Sequence, residues 1–482
     1  TTLVMASHYR NHFTFDSETA CLFCAPPLAS FNHLISLKST CLFVGPKVFY
    51  LRMKFHLISL GCSKNTADSE KIAAHIAAHG WQWVDHAHLA DLLMINTCGF
   101  INDAKEESLR VIMQAVGQKE HKPDQKTAVF GCLVRRYRQE ISSQIPEIDY
   151  LFEFLGEDEL DTLVNCFGKA IATPDFSKSW RFFTPPHIGI LKIAEGCSNR
   201  CSYCAIPGIR GPFYSKDEKA ILADASRLAA SGAKEICIVA QDITRYGTDH
   251  GGKCRLADIT RKVSAIPEIE WIRLHYMHPR GLTKALIDEL YSIPKVLPYF
   301  DIPFQHISER MLELMNRHTT AAHIKELITH IRSRFPQAAI RSTFIVGFPG
   351  EKKKDFDELI EFIEEYPLDR VGAFMYSTEE GTVAAEMHPK VSQRTKQARL
   401  DQLMTLQQLI IEERNRKLKG VELEVMVDMV EKGKAKARTM FDAYEVDNST
   451  SIDNAAKLQP GNLVKVRILD ADAYDFKAEL AV

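Results

Sequence analysis

A chain of 482 residues is too long for one ordinary hydrophobic core and implies several domains. With 45% apolar and 25% charged residues it has an ordinary globular composition, and it contains no apolar run long enough to span a membrane as a helix. A formal net charge of −2 excludes a general electrostatic attraction to nucleic acid or anionic lipid.

Residues 1–52 lack helical or strand periodicity, and "MKFHLISLGC" reads as a natural start at Met53. The first 52 residues are therefore expected to be a disordered extension, or one translated from a wrongly assigned start. Cys21 and Cys24 form a CxxC there without a partner pair, which is weak as a zinc signal. No secretory signal accompanies the twelve cysteines. They read as reduced thiols of a cytoplasmic protein, available for metal rather than for disulfides.

Residues 53–175 alternate apolar runs with amphipathic helices, which predicts a parallel sheet with helices on its faces. The runs "KFHLISLGC", "DLLMINTCGF" and "KTAVFGCLV" each end near a cysteine: Cys62, Cys98 and Cys132. In open α/β sheets, ligands bind at the carboxyl ends of the strands. Buried structural cysteines have no reason to recur at the same point of successive βα units. Gly61, Gly99 and Gly131 are expected to let backbone approach a bulky ligand. Asp68 and Glu70 read as carboxylates that stabilise a helix start.

Six further strand-like runs, separated by helical stretches, occupy residues 176–390 and predict a partial (β/α)6 barrel. "EGCSNRCSYCAIPG" follows the first of them and carries Cys197, Cys201 and Cys204, with Pro207 and Gly208 expected to stop regular structure. Zinc would want a fourth ligand, and no second CxxC lies within reach. A 4Fe-4S cube held by three thiolates keeps one iron free to bind something else. Gln241, Gln305, Arg341 and Gly347 are the candidate cofactor contacts. Arg341 is placed at a strand end, where a guanidinium clamps a carboxylate through two parallel bonds. Residues 391–419 read as one long linker helix. Residues 420–482 alternate apolar and polar positions, as strands of a small antiparallel barrel do.

C-x3-C-x2-C at the mouth of a βα barrel resembles the radical SAM enzymes. The upstream cysteine triad, with "GCSKNTADSE", "INTCGFINDAKEES", "DIPFQHIS", "MNRH", "STFIVGFPGE" and "YSTEEGT", narrows the resemblance to the methylthiotransferases, and within them to the branch that modifies a ribosomal protein. The resemblance covers nearly all of Met53–Val482. It implies two 4Fe-4S clusters, an auxiliary one on Cys62, Cys98 and Cys132 and a radical-generating one on Cys197, Cys201 and Cys204. It also implies S-adenosylmethionine (SAM) as cofactor, and methylthiolation of the β-carbon of an aspartate in a small-subunit ribosomal protein near the decoding centre. An external one-electron donor such as flavodoxin, a sulfur donor and a C-terminal TRAM domain follow from it too. Tyr214 and Lys352 depart from the family pattern at residues where a cation and a threonine are usual. A monomer is expected, since no coiled-coil heptads are present.

The alternative is the branch that methylthiolates a tRNA adenosine. Residues 421–482 hold eight Lys or Arg against twelve Asp or Glu, a net of −4. A module that reads RNA should be basic, whereas an acidic one suits a basic ribosomal protein. "EKGKAKAR" is a local basic cluster that argues mildly the other way, and it reads equally as a solvated turn.

Overall fold

The computed structural model describes residues 53–167, 174–175 and 181–481. The expectations for residues 1–52, Cys21 and Cys24 included, lie outside them. The N-terminal domain runs β1 (Lys54–Ser59), α1 (Ser63–Ala78), β2 (Gln82–Trp83), β3 (Leu92–Thr97), α2 (Asn102–Gly117), β4 (Lys126–Gly131), α3 (Cys132–Gln144), β5 (Tyr150–Leu151) and α4 (Glu157–Cys166). Its five strands form a parallel sheet in the order β2-β1-β3-β4-β5. Residues of β3 alternate between two cores. Leu92 and Met94 pack with Ile72 and Ile76 of α1 and Leu160 of α4, while Leu93 and Ile95 pack with Ile112 of α2 and Leu133 of α3. Burial on both faces explains why the central strands read as unbroken apolar runs.

The second domain comprises β6 (Ile188–Lys192), β7 (Ala194–Glu195), α5 (Ile206–Arg210), β8 (Tyr214–Ser215), α6 (Glu218–Ala230), β9 (Glu235–Val239), α7 (Leu256–Ser264), β10 (Trp271–Leu274), α8 (Lys284–Tyr291), β11 (Tyr299–Asp301), α9 (Glu309–Leu314), α10 (Ala321–Arg334), β12 (Ala339–Val346), α11 (Lys353–Glu365) and β13 (Arg370–Met375). Strands β6, β9 and β10 make one parallel sheet, and β11, β12 and β13 a second. An isolated parallel bridge pairs Ile272 of β10 with Val296, shortly before β11. The six strands expected from the sequence are thus present as a partial barrel, and one large apolar core runs through it. Pro207 and Gly208 do not stop the chain: they lie inside α5, with proline in the first turn, where its missing N–H costs nothing.

The long helix α12 (Gln393–Arg416), capped by Ser392, leads to β14 (Glu422–Glu431), β15 (Lys434–Thr439), β16 (Ser449–Ile452), β17 (Leu463–Ala471) and β18 (Asp475–Leu480). These close into a barrel in the order β14-β15-β16-β18-β17, antiparallel except where β16 runs parallel to β18. The basic cluster "EKGKAKAR" is a hairpin rather than a loose turn. Lys432 and Gly433 take φ of 48° and 79°, the two successive left-handed residues a tight hairpin needs. Its alanines then face inward, with Ala435 and Ala437 buried.

This small barrel is fixed to the larger one. Met426 and Ala443 pack on Trp271, Tyr299 and Ala339. Glu235, fully buried, meets Arg273 and Arg438, each at 2.7 Å. Burial alone would raise its carboxyl, but Arg438 and Arg273 overcome that and hold it down to about 2. No helix among the described residues is long and apolar enough to cross a membrane.

Candidate active site

Strand order β2-β1-β3-β4-β5 reverses direction of winding between β1 and β3, which creates a crevice at their carboxyl ends. Cys62 immediately precedes α1, Cys98 follows β3, and Cys132 opens α3 after β4, so all three occupy that edge. Their close approach shows at Gly61, whose φ is +92°. A Cβ there would stand 2.7 Å from the Cys98 Cβ and 2.8 Å from its Sγ. Gly131, with φ of +103°, would likewise drive a Cβ to 2.5 Å from the Asn96 Oδ1. The glycines therefore make room for neighbouring protein loops, where the sequence suggested room for a ligand.

The three thiols differ in character. Cys98 is pushed up to about 12, first by burial, then by Cys62 and Cys132 beside it. Burial also raises Cys132, which Arg210 partly offsets. Burial pushes Cys62 up as well, but Lys64, backbone N–H groups and Arg210 outweigh it and lower this thiol.

Cys197, Cys201 and Cys204 lie on the loop between β7 and α5. Backbone bonds shape it: Cys197 N–H donates to the Gly211 carbonyl at 3.1 Å, Cys204 N–H to that of Cys201 at 3.0 Å, and Ser202 N–H to that of Met315 at 3.0 Å. Arg317 lies 3.4 Å from the Cys201 Sγ and 3.3 Å from the Tyr203 hydroxyl. Asn199 donates to Asp242 at 2.8 Å, tying the loop to the end of β9. Burial raises Cys197 to about 11 and Cys204 to about 12. Among the described residues, a single group of three His, Cys, Asp or Glu has its ligand atoms all within 4.8 Å of one another, and it contains no cysteine.

The chain segments that carry the two trios meet at one interdomain junction. Lys64 places its ammonium 3.3 Å from the ring centre of Tyr276, at the carboxyl end of β10, and Ser63 lies 3.4 Å from the Tyr276 hydroxyl. Arg210, which ends α5 behind the second trio, bonds to Asn65 at 2.6 Å and to Asp68 at 3.0 Å. Arg136 donates to the Gly99 carbonyl, beside Cys98, at 2.7 Å and to Glu379, beyond β13, at 3.1 Å. Lys105 meets the same Glu379 at 2.9 Å. Asp68 and Glu70 are not helix-start carboxylates, because α1 begins at Ser63 with no acid in its first turn. Asp68 pairs across the domain junction with Arg210 and Lys192, and Glu70 accepts backbone N–H bonds from Phe182, Phe183 and Thr184.

The other candidate contacts have the following surroundings. Gln241 follows β9 and stands at the strand-end face. Gln305 has φ of +75° and bridges to Phe344. The Gly347 N–H donates to Glu351. Arg341 is not at a strand end: it is the third residue of the eight in β12. Its guanidinium is already matched, at 3.0 Å from Asp301 and 3.6 Å from Asp447 of the small barrel, so it does not stand free to clamp a ligand.

His278 escaped the sequence reading. It is buried, its Nδ1 accepts from the Arg280 N–H at 3.2 Å, and its Nε2 has no partner among the described residues. With Nδ1 accepting, the proton sits on Nε2 and is available to an acceptor. Arg317, which was legible only within "MNRH", is one of the cations around it. Burial first, then Arg317, Arg280, His318 and Arg245, push His278 down to about 2. An unspent donor among cations fits an anionic group such as a carboxylate. The folded ring stays neutral where the unfolded ring, near its ordinary 6.5, takes a proton. Acid therefore costs stability from pH 6.5 down to about 2, and nothing above 6.5. The fall in Tm on acidification from about pH 7 to about pH 5 should be shallower in His278→Gln than in the wild type. An unchanged slope in thermal melts refutes the assignment.

Three family descriptions match the chain: an uncharacterised family designated UPF0004 over residues 54–153, the radical SAM superfamily over 191–363, and the TRAM domain over 420–481. The chain is 41% identical over 420 residues to "Ribosomal protein uS12 methylthiotransferase RimO" of Chlorobaculum tepidum, covering 87% of this chain and 96% of that one. It is 42% identical over 443 residues to the protein of the same name from Caldicellulosiruptor saccharolyticus, covering 89% of this chain and all of that one. Among solved structures, the radical SAM methyltransferase TsrM of Kitasatospora setae, with cobalamin and a 4Fe-4S cluster bound, superposes with a TM-score of 0.50 at 12% identity. The match covers 67% of this chain and 72% of that one, and indicates a shared fold.

Proposed function

Because the chain belongs to the ribosomal protein uS12 methylthiotransferase (RimO) family of radical SAM enzymes, we propose that it transfers a methylthio group to the β-carbon of an aspartate in that small-subunit ribosomal protein. The observation that carries this reading is two separate cysteine trios on chain segments that meet at one interdomain junction. Cys197, Cys201 and Cys204 would hold a 4Fe-4S cluster with one iron left for SAM, and Cys62, Cys98 and Cys132 a second one. When bound, the first cluster supplies the electron that cleaves SAM to the radical able to abstract hydrogen from an unactivated carbon, which no side chain can do.

The chain's own residues do the positioning. Arg317 faces the Cys201 sulfur and would orient that ligand. The Nε2–H of His278 would donate to the carboxylate of SAM. Glu379, only 3% exposed and held by Lys105 and Arg136, ties α2 and α3 of the N-terminal domain to the segment after β13, and Arg136 also holds the Gly99 carbonyl beside Cys98. Gln241 stands at the strand-end face as a polar contact for the cofactor. The acidic C-terminal module suits a basic protein substrate better than an RNA. We place the enzyme in the cytoplasm as a monomer served by an external one-electron donor such as flavodoxin and by a sulfur donor.

The test is direct. The reconstituted enzyme is incubated with SAM, reductant and either the ribosomal protein or tRNA, and the products are weighed. The expected result is a methylthio mass on an aspartate of the protein. Mass gained by tRNA, with the protein unchanged, would move the reading to the tRNA branch.

A further inference from the structure

The C-terminal part of α1 carries His75 and His79, four residues apart and so on one face of the helix. Asp161, in the middle of α4, lies against both. The Asp161 Oδ1 is 2.8 Å from the His75 Nε2 and 3.4 Å from the His79 Nε2. One ligand atom from each of the three residues lies within 4.8 Å of the others. Four ligands around a zinc ion, at bonds of about 2.0–2.1 Å, stand about 3.4 Å apart.

We propose that His75, His79 and Asp161 form a binding site for one divalent late transition-metal ion, of the zinc class, that ties α1 to α4. Tautomer chemistry supports it. The Nδ1 of His79 is 2.9 Å from the His75 carbonyl, which only accepts, so Nδ1 carries the proton. In the neutral ring Nε2 then turns a lone pair toward a carboxylate oxygen. Two acceptors facing each other call for a proton or a metal ion between them. An imidazole fixed by a carbonyl on its other nitrogen is also the usual arrangement around a bound metal.

The scaffold is rigid and one of the three ligands is open to solvent. Ile72 and Ile76 of α1 pack with Leu160, Leu163 and Val164 of α4 in one apolar core, so the three side chains are aligned before any ion arrives. The imidazoles are nearly buried, at 11% and 9% exposure, while the carboxylate is 52% exposed and open to solvent. Cys62 immediately precedes the same helix, thirteen residues before His75 and about 20 Å away at 1.5 Å rise per residue, so the site is separate from Cys62.

The experiment uses the full chain with its iron–sulfur clusters in place, dialysed against a mild chelator under anaerobic conditions and titrated with zinc against a chromophoric competitor. The wild type should bind one zinc equivalent that His79→Gln and Asp161→Asn bind at least tenfold more weakly, with iron content and circular dichroism unchanged. Zinc should raise the Tm of the wild type but not of either variant. Asp161→Asn, at a half-exposed position, keeps the test open should His79→Gln fold poorly. Equal zinc binding by wild type and variants, or binding by none, overturns the site and leaves an ion pair between a protonated histidine and Asp161.

Discussion

Replacing Cys62, Cys98 and Cys132 together by serine should abolish methylthio transfer while reductive cleavage of SAM continues. The separation follows from the architecture. The first trio rests on the N-terminal sheet, whose cores are independent of the barrel core that supports Cys197, Cys201 and Cys204. Serine is close in size to cysteine, so packing around these positions changes little. It does not supply the thiolates that an iron–sulfur cluster requires. Iron per chain should fall by half, and 5′-deoxyadenosine should still form, while the ribosomal protein keeps its mass. Cys201→Ser should instead stop both reactions, because it removes a ligand from the trio at the barrel mouth. Chromatography of 5′-deoxyadenosine beside mass spectrometry of the substrate reads both outcomes. Transfer by the triple variant at wild-type rate would refute the role given to the N-terminal trio.

Much of this arrangement was legible because βα repetition has a strong signal. A strand buried on both faces is a short apolar run, and a cysteine just after it stands at the ligand edge wherever the strand lies in the sheet. The sequence therefore pointed to Cys62, Cys98 and Cys132 without knowledge of strand order. What it could not provide was pairing at long range. Arg341 read as a free guanidinium because Asp301 and Asp447 are 40 and 106 residues away along the chain, and only folding brings them to it. Asp68 read as a helix-start acid because its true partners, Lys192 and Arg210, belong to another domain. His278 gave no signal, since its character comes from burial and from three arginines gathered around it by loops. In the small barrel, β15 was hidden by its composition. "KAKART" alternates correctly for a strand, but lysines on the outer face and alanines on the inner make it look like a basic loop.

Arg210→Met should cost about 3–5 kcal/mol of stability, concentrated at the junction of the two cysteine-bearing domains. Arg210 is buried and matched on every side: Asp68 and Glu195 each accept from Nη1 at 3.0 Å, Asn65 accepts from Nη2 at 2.6 Å, and the Phe154 ring centre lies 5.0 Å from the guanidinium carbon. Burial opposes its charge, but Cys132, Asp68 and Glu195 overcome that and raise its pKa further. Methionine keeps most of the volume and removes the charge. Lys192 would then stand alone between two partly buried carboxylates, and breaking such a set costs far more than forming it gains. Function should suffer as well as stability. Asn65, oriented by Arg210, donates to the Leu60 carbonyl at 2.9 Å and to that of Thr97 at 3.1 Å, which holds together the chain segments leading into Cys62 and Cys98. Loss of Arg210 should therefore speed hydrogen exchange around residues 60–66 and 97–99, and lower methylthio transfer more than SAM cleavage. Lysine at 210 restores a charge but not the planar fork that reaches three acceptors at once, so Arg210→Lys should fall between the two. Equal loss of both reactions in Arg210→Met, with exchange unchanged in those segments, would show that the arginine supports the barrel alone and does not set the first trio against it.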